Sequence, residues 1–98
     1  MYNIFGFYKF KKLTSLKLKK KSLDSLFIKN DIRGTIIISN EGLNGTISFK
    51  SNKFDNITTS LKKIFNIKKF NNENLTKYKF QAFHKGKIKI KKEVVPLG

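Results

Sequence analysis

Apolar and polar positions along the chain fall into seven successive stretches, and each predicts an element. Tyr2 to Phe10 is aromatic or apolar at nearly every position, which predicts a strand covered on both faces and central in its sheet. From Ser15 to Lys29, Leu16, Leu23, Leu26 and Phe27 recur at offsets of seven, three and one, the stripe of an amphipathic helix with Lys19, Lys20 and Lys21 on its wet side. Thr14 or Ser15 is placed to cap its start, and Asn30 tolerates the left-handed conformation that would end it. Ile32 to Ser39 is a β-branched run broken only by Arg33-Gly34. The turn signal Asn40-Glu41-Gly42-Leu43-Asn44-Gly45 and a short strand, Thr46 to Phe49, complete a hairpin. Phe54, Ile57, Leu61, Ile64 and Phe65 then mark a second helix, with Asn52 and Asp55 spaced as a capping box. Asn66 to Asn74 reads as a polar connector. Leu75 to Ala82 and Lys87 to Val95 read as two further strands joined by a turn near His84-Lys85-Gly86. The order β-α-β-β-α-β-β, with no repeat or linker, predicts a single α+β domain over residues 1–98. It contains the split βαβ unit of the ferredoxin-like fold: an antiparallel sheet with two helices on one face and the other face left for a partner.

Alternation in the last two strands brings in the charge. Lys87, Lys89 and Lys91 alternate with Ile88 and Ile90, and Lys77 and Lys79 alternate with Tyr78 and Phe80, so pairing of the two strands would set at least five ammonium groups on the open face. The whole chain carries 22 Lys+Arg against 6 Asp+Glu, a formal charge of +16 on 98 residues. A field of that size attracts polyanions, and nucleic acid leads among them. One reading makes Lys77, Lys79, Lys85, Lys87, Lys89 and Lys91 a phosphate-tracking surface for RNA; the other makes them the charged edge that keeps a hairpin from aggregating. Arg33 is the lone arginine and so offers the lone planar fork, either for RNA or for a pair with Glu41 or Asp31. The loop residues Glu41, Gly42, Asn44 and Gly45 allow the backbone to approach a ligand closely, although Asn44-Gly45 is equally what a plain hairpin turn demands.

Other chemistry is thin. Without cysteine there is no disulfide framework, thiolate metal site or cysteine nucleophile in these residues, and His84 alone is too few for a histidine-built centre, so neither metal nor cofactor is expected. His84 has no companion acid or base in the sequence, and the six carboxylates form no close pair. Phe5, Phe7, Tyr8 and Phe10 are of the kind that stack bases, but the motif of RNA-binding sheets is missing and most are assigned to the core. The longest apolar runs, such as Thr35 to Ile38, are far short of the ~18 residues of a membrane span. The opening residues carry neither a basic n-region nor a small-residue cleavage site, so the expectation is a cytoplasmic protein without a membrane partner.

Four blocks taken together carry a resemblance that covers essentially the whole chain. Phe7-Tyr8-Lys9-Phe10, Ile32-Arg33-Gly34-Thr35, Glu41-Gly42-Leu43-Asn44-Gly45-Thr46-Ile47 and the stretch from Lys85 to Gly98, in that order and spacing, resemble the N-terminal domain of the bacterial rhodanese-family tRNA uridine hydroxylases. The resemblance implies an acylphosphatase-like domain ahead of a rhodanese domain, in an enzyme that converts the wobble uridine of certain tRNAs to 5-hydroxyuridine. It also implies that the reactive cysteine belongs to the rhodanese domain, in cis or in trans, so that this chain binds the tRNA substrate and does not catalyse alone. Lys85-Gly86 departs from the Arg-Met that usually opens the family's closing strand. No arginine-bearing phosphate loop precedes the first helix, so acylphosphatase activity is not expected. The alternative function is an interaction domain whose hairpin loop docks onto a separate rhodanese domain or an acidic partner.

Overall fold

The computed structural model describes residues 1–92, and the predicted end of the closing strand, Glu93 to Val95, lies outside them. Its elements are β1 (Tyr2–Phe10), α1 (Leu16–Asn30), β2 (Arg33–Ser39), β3 (Gly42–Lys50), a 3-10 turn (Ser51–Lys53), α2 (Phe54–Phe65), β4 (Asn72–Tyr78) and β5 (Gly86–Ile90). The five strands form one sheet in the order β4-β1-β3-β2-β5. Three pairings are antiparallel; β2 and β5 run parallel, so the sheet is mixed rather than wholly antiparallel. β1 is interior but not central: it lies between β3 and β4, and β3 holds the middle.

Alternation along each strand sends one set of side chains to the helices. Phe5 and Phe7 of β1, Ile36 and Ile38 of β2, Leu43, Ile47 and Phe49 of β3 and Ile88 of β5 are buried with Leu23 and Phe27 of α1 and Ile57, Leu61 and Phe65 of α2. Phe5 meets Phe54 edge-on at 5.5 Å between ring centroids, and Phe7 lies 4.9 Å from Phe70, which ties β1 to α2 and to the segment following it. Both helices match their predicted stripes, but not their predicted caps. Ser15 occupies the N-cap of α1 in a left-handed conformation and makes no side-chain cap. The left-handed residue at its other end is Asp31, because Asn30 stays helical and buried with its amide donating to the Leu26 carbonyl. α2 has no capping box: the 3-10 turn absorbs Asn52 and leads straight into the helix.

Two predicted turns are also corrected. The β2–β3 connection is only Asn40-Glu41, and Asn44 and Gly45 lie inside β3, paired with Tyr8 and Phe7. Gly45 is a glycine for packing rather than for turning, since a Cβ there would sit 2.7 Å from the Phe7 ring. The true turn is fastened to the β1–α1 connection, with Lys11 and Leu13 N–H groups each donating at 3.0 Å to the Glu41 and Asn40 carbonyls.

The second correction is larger: β4 and β5 do not form a hairpin but lie at opposite edges. Residues 79–85 connect them by crossing four interstrand gaps, about 19 Å at the usual spacing. Seven extended residues reach about 23 Å, so this strap has little slack. It is held at several points. Gln81 Nε2 donates to the Asp31 and Ser48 carbonyls at 3.4 and 3.5 Å, Arg33 Nη1 donates to the Phe83 carbonyl at 3.4 Å, and Gly34 N–H donates to the Lys85 carbonyl at 2.8 Å. Ser48 faces away from the helices by register yet is fully buried at this end of the sheet.

Two outcomes test this arrangement by urea unfolding. At Gly34, φ is +105° and an added Cβ would run into the Thr46 carbonyl and lie 2.8 Å from Ile47 Cα, so Gly34→Ala should lose at least about 2 kcal/mol. Arg33→Ala should cost only about 1 kcal/mol, since its bonds are long and partly exposed, but should speed amide exchange at Gly34 and along residues 83–85.

Candidate nucleic-acid interface

The face turned away from the helices is built by the remaining alternation, and register sorts it into rows. Tyr78, Tyr2 and Lys50 form the first, Thr76, Ile4, Ser48 and Arg33 the second. Asn74, Gly6, Thr46, Thr35 and Lys87 follow, and then Asn72, Tyr8, Asn44, Ile37 and Lys89. Phe10 adds an exposed ring beyond Tyr8, the two packing edge to face at 5.6 Å. The centre of the face is therefore amide, hydroxyl, aromatic and isoleucine, and its cations are Lys87 and Lys89 at the β5 edge with Lys50 and Arg33 toward the Tyr2 end of the sheet. That composition suits bases and sugars in the middle and phosphates at the rim.

The sequence-predicted lysines separate accordingly. Lys87 and Lys89 lie on the open face as their parity requires, and Lys91 continues the ladder by donating its N–H to the Ile38 carbonyl at 2.9 Å. Lys85 ends the strap beside them. Lys77 pairs with Asn3, which faces the helices, so it projects to the helix side of the opposite edge, and Lys79 lies beyond the end of β4. The five-lysine cluster expected of a β4–β5 hairpin is thus replaced by a basic rim along β5. Arg33 is committed to structure: its guanidinium faces the Asp31 carboxylate at 3.4 and 3.5 Å as well as holding the strap. Glu41 belongs to the fastened turn and Gly42 opens β3 beside Phe10, whereas Asn44 reaches the open face from within β3.

Besides a hollow of about 420 Å3 lined by Met1, Tyr2, Lys50, Ser51 and Asn52, two hollows among the described residues involve the strap and the sheet face. One of about 360 Å3 lies between the C-terminal end of α1 and the strap, bringing Arg33 and His84 together with Asp31 among the apolar walls Phe27, Ile28 and Ile32. Asp31 offsets the Arg33 charge there. The other, about 130 Å3, opens on the sheet face over Gly6, walled by Tyr8, Asn44, Thr46, Asn72 and Asn74. Sequence reasoning missed this second site because residues 66–74 read as connector; the available signal was Asn72 and Asn74 two apart, which places both amides on one face of a strand. Among the described residues no group of three or more His, Asp or Glu side chains is placed to hold a metal, and no helix is long and apolar enough to cross a membrane.

Comparison with known proteins agrees with the fold. The chain superposes on the acylphosphatase of Bacillus subtilis with a TM-score of 0.61 over 90% of its length at 10% identity, and on a part of full-length HypF with a TM-score of 0.62 at 9% identity. These share the fold alone. In sequence it is 62% identical over its whole length to the tRNA uridine(34) hydroxylase of Pelagibacter ubique (strain HTCC1062), covering 33% of that protein. It is 35% identical over 98% of its length to the tRNA uridine(34) hydroxylase of Prochlorococcus marinus subsp. pastoris, covering 30% of it. The chain spans about a third of the length of these relatives. With residues 2–94 matching the family model as well, the chain belongs to the UPF0176 acylphosphatase-like domain family, the N-terminal domain of tRNA uridine(34) hydroxylases.

Proposed function

We propose that this chain is the tRNA-holding domain of a tRNA uridine(34) hydroxylase, acting in the cytoplasm and presenting its substrate to a cysteine-bearing rhodanese domain in cis or in trans. The observation that carries the reading is the open sheet face, polar and aromatic at its centre and rimmed by Lys87, Lys89 and Lys91. Its relatives' names supply the substrate class. The open face offers binding chemistry: amides, hydroxyls, rings and ammonium groups, with the one guanidinium already paired. Conversion of uridine to 5-hydroxyuridine is assigned to the remainder of the enzyme, so the domain's contribution is to hold the tRNA and orient it.

A second surface supports the alternative of a docking domain. Leu18 and Ile28 of α1 and Phe80 of the strap are 68%, 84% and 77% exposed, an amount of bare apolar side chain that a neighbouring domain would cover. Leu18 and Ile28 lie on a helix, away from the open face, so docking there and tRNA binding on the sheet are compatible in one enzyme.

Filter binding of tRNA across a salt series tests the main reading. Affinity should fall steeply with salt, and exchanging both Lys87 and Lys89 for Glu should weaken binding and flatten the slope of log K against log salt by about one unit per lost phosphate contact. Lys77→Glu, on the helix side of the far edge, should change little. Binding indifferent to salt, or equal losses from either edge, would overturn it. For docking, Ile28→Asp should reduce retention of the chain on an immobilised rhodanese domain while leaving tRNA affinity intact; equal retention would remove that role from α1.

A further inference from the structure

The hollow over Gly6 is walled by residues of β1, β3 and β4, and neither the core nor the helix caps account for the space between them. Gly6 lies in β1 between Asn74 of β4 and Thr46 of β3, and its missing side chain is what opens the floor. The three atoms nearest a Cβ there all belong to the Asn74 side-chain amide, at 3.0 to 3.4 Å, and no backbone atom is among them. That separates it from Gly34 and Gly42, which lie at positive φ against backbone atoms. What glycine provides at position 6 is space.

The walls have a consistent chemistry. Asn72 and Asn74 bring side-chain amides, each a carbonyl acceptor with NH2 donors, Asn44 brings a third that is already engaged within the protein, and Thr46 adds a hydroxyl. None of the lining side chains is charged, so the site is not suited to a phosphate, which would be held by cations or helix N-termini. Donors and acceptors gathered around a hollow, without net charge, match the hydrogen-bonding edge of a nucleobase. Tyr8 supplies an aromatic wall, backed edge to face by Phe10. The volume, about 130 Å3, is close to the ~150 Å3 cavity that accepts a single benzene ring, and so has room for one six-membered heterocycle.

Phosphate contacts lie at a workable distance. Lys89 shares a row with Tyr8 and stands three interstrand gaps away, about 14 Å, while Lys87 ends the row that contains Gly6. A strand of RNA laid across the sheet would meet the hollow with one base and the β5 rim with its backbone.

We propose that the hollow over Gly6 is a subsite for one unstacked pyrimidine of the bound RNA, read by Asn44, Asn72 and Asn74 and stacked on Tyr8. The proposal rests on the tRNA-holding reading and adds to it a position and a base class.

The test uses the purified 98-residue chain, with pentauridylate and pentaadenylate as probes and binding followed through the asparagine side-chain amide resonances. Pentauridylate should shift the Asn44, Asn72 and Asn74 amides and should bind more tightly than pentaadenylate. Gly6→Val, which fills the hollow, and Asn74→Ala, an exposed position whose loss leaves the core untouched, should each weaken pentauridylate binding about tenfold and abolish the preference for it. Exchanging Lys87 and Lys89 for Glu should weaken both probes alike and keep the preference. If tRNA binds the chain with the expected salt dependence while Asn74→Ala and Gly6→Val leave pentauridylate affinity and base preference unchanged, the subsite is refuted and the tRNA reading stands. If neither tRNA nor the probes bind, both fall together.

Discussion

The burial of Phe5 and Phe7 against α2 and Phe70 is the constraint from which the rest of the molecule follows. Strand alternation has a period of two, so once these rings face the helices, Tyr2, Ile4, Gly6, Tyr8 and Phe10 must face the other way. The pairing of β1 with both β3 and β4 then fixes what lies beside them: Asn44 and Asn72 flank Tyr8, and Thr46 and Asn74 flank Gly6. A slip of one residue would bury Tyr8 and expose Phe7, so core and open face are a single decision. Gly45 makes that decision possible, since any side chain there would contest the space of the Phe7 ring.

Charge plays almost no part in holding the fold and a large part in what it attracts. Among the described residues Lys20 pairs with Asp24 at 2.9 Å and Arg33 with Asp31 at 3.4 Å, both partly exposed and each contributing little. Cohesion therefore comes from apolar burial, against a formal charge of +16 that repels itself. A bound polyanion relieves that repulsion, and the relief is greatest where lysines are aligned along one edge, at β5.

The helices, the order of elements and the outward parity of Lys87 and Lys89 were legible in the sequence, because each rests on a buried apolar partner: Leu23 and Phe27, Ile57 and Leu61, or Ile88 under the lysines. β4 was not. All its residues from Asn72 to Tyr78 are exposed, so no buried set dictates which parity faces the helices, and Tyr78 went to the open face although its neighbours suggested otherwise. Partner choice failed for a related reason. Two amphipathic strands adjacent in sequence invite a hairpin, but the seven residues between them are longer than a tight turn needs, and β2 offers β5 a fully apolar neighbour in Ile36 and Ile38. Asn44-Gly45 misled because the same dipeptide that favours a turn also serves where a large ring must lie flat on a strand.

The division between a neutral centre and a charged rim matters for what such a face can distinguish. Lysines attract any phosphate backbone, so a rim alone gives affinity and salt dependence without choice of base. Discrimination needs donors and acceptors that pay a desolvation cost when the wrong base leaves them unpaired, and it needs them where no nearby ammonium makes every ligand acceptable. On this sheet Lys87 and Lys89 stand at one edge, while Asn72 and Asn74 stand at the other with Gly6 and Tyr8 beside them. Because β4 and β5 lie on opposite edges instead of forming a hairpin, the amides of β4 and the lysines of β5 stand some 19 Å apart across the sheet, and under the proposed reading a strand of RNA spanning it would be held at one side and read nearer the other.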